Sequence, residues 1–118
     1  MARERQQLGI LGESLAAGIL QQNGYRILAR NVRTPVGEID LVARQGDALV
    51  FIEVKLRRSL RFGTPAEAVT ASKQRRLRRA AQYYLLKQPS PAAKIRFDVV
   101  AITLLTDNPD IQIIQAAF

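Results

Sequence analysis

The chain has 118 residues, no cysteine and no histidine, and 18 Lys/Arg against 10 Asp/Glu, a formal net charge of +8. That length suits one domain over residues 1–118, and 47% apolar residues supply a core without cross-links. The missing residue types exclude disulfides, thiolate zinc sites, Cys nucleophiles and every triad or metal site built on His. Any metal must take oxygen ligands, which points to hard cations such as Mg²⁺ or Mn²⁺. Any general acid or base must be Asp, Glu, Lys or Tyr. No apolar run approaches membrane length, and no signal-peptide core follows MARERQQLG. A cytoplasmic protein without a membrane partner is therefore expected.

In chain order, residues 4–23 read as a helix. Leu8, Leu11, Leu15 and Ile19, with Ile10 and Leu20 beside them, form an apolar stripe, and Gly24 is the expected stop. Residues 25–33 read as a strand, and Thr34-Pro35-Val36-Gly37 as a turn. Residues 38–44 (EIDLVAR) alternate as a strand, Gln45-Gly46-Asp47 turns, and residues 48–55 (ALVFIEVK) return. Leu49 to Ile52 are apolar on both faces, so this strand is expected at the centre of its sheet. Residues 56–63 form a basic loop. A second helix is expected to run from Thr64 to about Leu86, with Thr64 as N-cap, Pro65 at N1 and Glu67 completing a capping box. Residues 94–104 and 111–115 complete the strands. The order α-β-β-β-α-β-β implies an α/β layered fold with a central antiparallel hairpin.

Charge is concentrated. Residues 55–79 hold nine Lys/Arg and one acidic residue, and the rest of the chain is neutral. Such a block either meets a polyanion, with nucleic acid first, or is a solvated helix face. Arg57, Arg58 and Arg61 in the loop, with Lys73, Arg76 and Arg79 at helical spacing, could form a rim that follows a phosphate backbone.

A two-residue loop at Gly46-Asp47, with Gly first, suits a type II′ turn. Residue 45 then pairs with residue 48, Asp40 falls opposite Glu53, and Glu38 opposite Lys55. All four share one face of the hairpin. Two opposed carboxylates on a half-buried sheet either share a proton or bind a cation. Lys55 could stabilise charge on a phosphate, accept a proton from water, or simply neutralise Glu38 and Glu53. Small residues Gly9, Gly12, Ala16 and Ala17 share a face of the first helix with Glu13, so that helix could approach the sheet closely. Asp98, on an inner strand, is expected to salt-bridge an Arg and not to bind metal.

Asp40, twelve intervening residues and Glu53-Val54-Lys55 resemble the core motif of the PD-(D/E)xK nuclease superfamily, which includes restriction enzymes and Holliday-junction resolvases. The whole chain is more closely similar to the YraN-like bacterial proteins, a family of uncharacterised function. The similarity runs through Gly12-Glu13, Gly37-Glu38-Ile39-Asp40, Phe51-Ile52-Glu53-Val54-Lys55, Arg61-Phe62-Gly63 and Arg96-Phe97-Asp98-Val99-Val100. The resemblance implies a restriction-endonuclease-like three-layer core. It implies that Asp40, Glu53 and the Val54 carbonyl ligate Mg²⁺ (or Mn²⁺), that Glu13 adds to the site, and that Lys55 is the catalytic lysine. Glu38 stands where many members carry Pro. The implied activity is metal-dependent endonuclease hydrolysis of DNA, with structured or branched DNA favoured and a homodimer by analogy with the resolvases. The alternatives are a non-cleaving nucleic-acid-binding module of the same fold and a structural domain whose carboxylates pair internally.

Overall fold

The computed structural model describes residues 2–58, 69–88, 94–104 and 108–118, with side chains from residue 9 onward. The elements are α1 (Ala2–Gln22), β1 (Arg26–Thr34), β2 (Gly37–Gln45), β3 (Ala48–Arg57), α2 (Ala71–Leu86), β4 (Lys94–Thr103) and β5 (Asp110–Ile114). The α/β class and the order expected from the sequence both hold. The strands form one sheet in the order β1-β2-β3-β4-β5. β3 and β4 are parallel, joined by a crossover that contains α2, and the other neighbours are antiparallel.

Each helix covers one face. Ala16 and Leu20 of α1 pack on Leu41, Ala43, Val50, Ile52, Val100 and Ile102. Leu77, Ala80 and Ala81 of α2 pack on Ile39, Val42, Leu49 and Phe51. Residues 48–52 are buried throughout, as a strand covered on both sides must be.

α1 ends as Gly24 requires. Gly24 has φ +84, Tyr25 N–H donates to the Leu20 carbonyl at 3.0 Å, and Gly24 N–H donates to Gln21 at 3.2 Å. These two bonds are a Schellman cap, which a residue with a Cβ makes only under strain. Among the described side chains, the apolar stripe is buried only in its later part. Ile10 and Leu11 are exposed, whereas Gly12, Ala16, Ala17 and Leu20 are buried. At Gly12 α1 lies against the sheet, with Leu56 and Val54 side chains at ordinary contact distance.

α2 starts later than expected. Its N-cap is Thr70, whose hydroxyl accepts from Lys73 N–H at 3.3 Å, and its first residue is Ala71. The expected capping box at Thr64, Pro65 and Glu67, and the rim residue Arg61, lie outside the described residues.

A sheet fork that gathers charge

The hairpin register is the expected one. Gln45 pairs with Ala48, and the pairs continue through Arg44↔Leu49, Ala43↔Val50 and Val42↔Phe51 to Leu41↔Ile52. Gly46 has φ +59, while Asp47 has no positive φ, as a type II′ turn requires. There the ladder stops. β3 continues to Arg57 against β4 alone, and the two strands of the hairpin part beyond Leu41 and Ile52.

Asp40 occupies that fork. Val54 N–H, which would otherwise lack its sheet partner, donates to Asp40 Oδ2 at 2.8 Å. The side-chain alternation of β2 also breaks here, since Ile39 faces the α2 core whereas Leu41 faces the α1 core. β1 is distorted alongside. Asn31, between the pairs Arg30↔Leu41 and Val32↔Ile39, has φ +51.

The break changes the expected single patch. Asp40 lies between two cavities. One, of about 320 Å³, is lined by Gly37, Glu38, Asp40 and Glu53 from the sheet and Lys73, Arg76 and Leu77 from α2. The other, of about 140 Å³, is lined by Gly9, Gly12 and Glu13 from α1 with Asp40, Val54 and Leu56. Glu53 and Asp40 remain neighbours, and Glu13 adds its charge from the α1 side. Glu38 does not reach Lys55. It lies at the rim, pairs with Arg33 in the β1 ladder and faces its guanidinium at 3.7 Å. Lys55 Nζ is instead 3.2 Å from Glu53 Oε1, with both side chains mostly buried.

Burial, first, and the Glu53 charge, second, push the Asp40 carboxyl up to about 7, although the Val54 N–H and the Lys55 ammonium oppose this. Lys73 lies against Lys55. That contact, with a smaller contribution from burial, holds the Lys73 ammonium below the usual lysine range, while Glu53 acts in the opposite direction. The cleft thus sets Glu38, Asp40 and Glu53 against Lys73 and Arg76 of the α2 wall, with Lys55 beside Glu53 and Lys73.

The remaining rim residues divide. Arg57, at the end of β3, adds its charge beside Lys73. Arg58 and Arg79 are exposed. Gly37, expected from local pattern only as the end of a turn, is part of the site. Its φ is +151, and a Cβ there would meet Arg76 Cγ at 3.0 Å, so it admits α2 close to the carboxylates. The only sequence signal for this was a Gly at the first residue of a strand.

Among the described residues, no three carboxylates converge closely enough to cage a metal. The donor set of Asp40 and Glu53 fits a hard cation that keeps much of its water, as Mg²⁺ does. A cation there would offset the burial cost and the Glu53 repulsion that together raise the Asp40 pKa.

Asp98 has a different function. It is fully buried and accepts from Tyr25 Oη at 2.7 Å, from Arg96 Nε and Nη2 at 2.9 Å each, and from Ala116 N–H at 2.9 Å. It holds the C-terminal segment to β4, by the arginine pairing expected from the sequence. Burial, then the bond to Asp98, raises the Tyr25 pKa, and the same carboxylate raises that of Arg96.

Fold and site together define an α/β protein with a charged cleft where its central antiparallel strands part. The chain belongs to the uncharacterised protein family UPF0102, whose model matches residues 12–102. It is similar to UPF0102 proteins of Syntrophotalea carbinolica, 47% identical over 100% of this chain and 96% of the relative. A Moorella thermoacetica member is 48% identical over the full length of both chains. A Symbiobacterium thermophilum member is 56% identical over 81% of each.

Proposed function

We propose that this protein is a Mg²⁺-dependent endonuclease of the PD-(D/E)xK type acting on DNA, with structured or branched DNA as the favoured substrate. The observation that carries the reading is the fork itself. It keeps Asp40 ionisable beside Glu53 and within the field of Lys55, inside a cleft walled by cations. Asp40 and Glu53 would hold the cation, with Glu13 and the Val54 carbonyl as the further donors the resemblance implies. When bound, Mg²⁺ supplies Lewis acidity and a more acidic water. Lys55, kept near Glu53 by its ion pair, would offer an ammonium to the charge that builds on a phosphoryl group. Lys73 and Arg76 reach the same cleft from α2 and would hold the neighbouring phosphates, with Arg57, Arg58 and Arg79 further along the strand; Arg61 joins them only on the sequence reading. Cytoplasmic location and a homodimer belong to the same proposal. Among the described residues, no helix is long and apolar enough to cross a membrane.

One observation favours a second reading, a nucleic-acid-binding module that does not cut. Among the described residues, no group of three carboxylates is assembled as a metal cage. The deciding experiment is cleavage of labelled single-stranded, duplex, flap and four-way-junction DNA with Mn²⁺. Asp40→Ala, Lys55→Ala and an EDTA lane run in parallel. Cutting by the wild type alone supports the nuclease. Equal binding of DNA by wild type and variants, with no cutting, supports the binding module.

A further inference from the structure

α2 has a second flank, turned away from the carboxylates. There Arg78, Ala81, Gln82 and Leu85 border a separate groove of about 200 Å³ closed by Ile95 and Phe97 of β4. Ile95 is 46% exposed, and Leu86, next to Leu85, is 86% exposed. The Arg78 guanidinium lies 4.9 Å from the centre of the Phe97 ring and 5.4 Å from that of Phe118. Phe118 in turn stacks on Phe97 at 5.3 Å. An arginine resting on rings is pre-organised, with its N–H edge free to fork onto a carboxylate. Among the described residues, Arg78 has no carboxylate partner. Arg75 is exposed on the same helix, and α2 contains no acidic residue.

The geometry points to this groove as the docking site for an acidic peptide segment that carries a large apolar anchor side chain. Charge complementarity selects the occupant. A second copy of a chain with net charge +8 would bring like charge to a basic rim. A nucleic-acid backbone would satisfy the arginines but offers no aliphatic side chain to cover Leu85 and Ile95. An acidic peptide does both, with carboxylates on Arg78 and its neighbours and the anchor between α2 and β4. Such a partner would bring the cleft on the other flank of α2 to its place of work.

The test uses the full chain and a fluorescein-labelled peptide of four aspartates followed by Leu-Phe, read by fluorescence anisotropy. A site of this size gives a Kd of roughly 1–100 μM. Replacing Leu-Phe by Ser-Ser, at unchanged charge, should weaken binding at least tenfold. Arg78→Gln should weaken both peptides. Ile95→Ser should weaken only the Leu-Phe peptide. Both substitutions are at exposed positions, and thermal melts check that the variants stay folded. Equal binding of the two peptides would overturn the proposal in favour of a general polyanion surface. So would the absence of saturable binding, or an Ile95→Ser variant that binds like wild type.

Discussion

Asp40→Asn tests the electrostatics of the fork directly. Folding raises the Asp40 pKa from 3.8 to about 7. The folded chain therefore binds this proton more tightly than the unfolded chain. The stabilising contribution is complete below the unfolded pKa, near 4, and is lost as pH rises through about 7. At 1.36 kcal/mol per pKa unit, the ionised carboxylate costs on the order of 4 kcal/mol above pH 7. Asparagine is neutral, and its amide oxygen can still accept from Val54 N–H. Without divalent ions, Asp40→Asn should gain stability over wild type on going from pH 4.5 to pH 8.5, by about 3 kcal/mol. Urea unfolding at both pH values measures this. An Asn variant that gains nothing, or loses stability, at pH 8.5 would refute the reasoning. Mg²⁺ at ten times its Kd should then stabilise the wild type at pH 8.5 by about 1.4 kcal/mol, and the Asn variant by less.

Asp98→Ala removes the acceptor shared by Tyr25, Arg96 and the Ala116 amide, and leaves the half-buried Arg96 guanidinium without its carboxylate. It should cost about 3–5 kcal/mol in denaturant unfolding, and a loss below about 1 kcal/mol would contradict the network. Gly37→Ala forces an L residue to φ +151 and a Cβ to 3.0 Å from Arg76 Cγ, so a loss of about 1–3 kcal/mol is expected by the same assay. Affinity for duplex DNA should fall steeply with salt. Lys73→Ala and Arg76→Ala should each reduce the log–log salt slope by roughly 1, and unchanged slopes would remove these two side chains from the DNA path.

Much of this architecture is written in local patterns. The Gly24 cap, the Gly46 turn and the doubly apolar run at residues 48–52 each depend on nearest neighbours along the chain, and each was legible from residue type and spacing. The hairpin register follows from the turn, so Asp40 and Glu53 could be brought together on paper. The Arg96–Asp98 pair follows from spacing of two along a strand, which puts both side chains on one face. The tertiary structure decided what happens where the ladder ends. Alternation assigns Asp40 a face. Once β3 leaves β2 to follow β4, however, an unpaired N–H at Val54 competes for the carboxylate. That bond holds Asp40 between two cavities, separates Glu38 from Lys55 and leaves Lys55 to Glu53. The approach of Lys73 and Arg76 likewise depends on how α2 packs across Gly37, a contact nearly forty residues distant in sequence. Periodicity encodes which side of an element is apolar. Which charges finally meet is set by where strands part and helices dock, because those contacts join residues that no local pattern links.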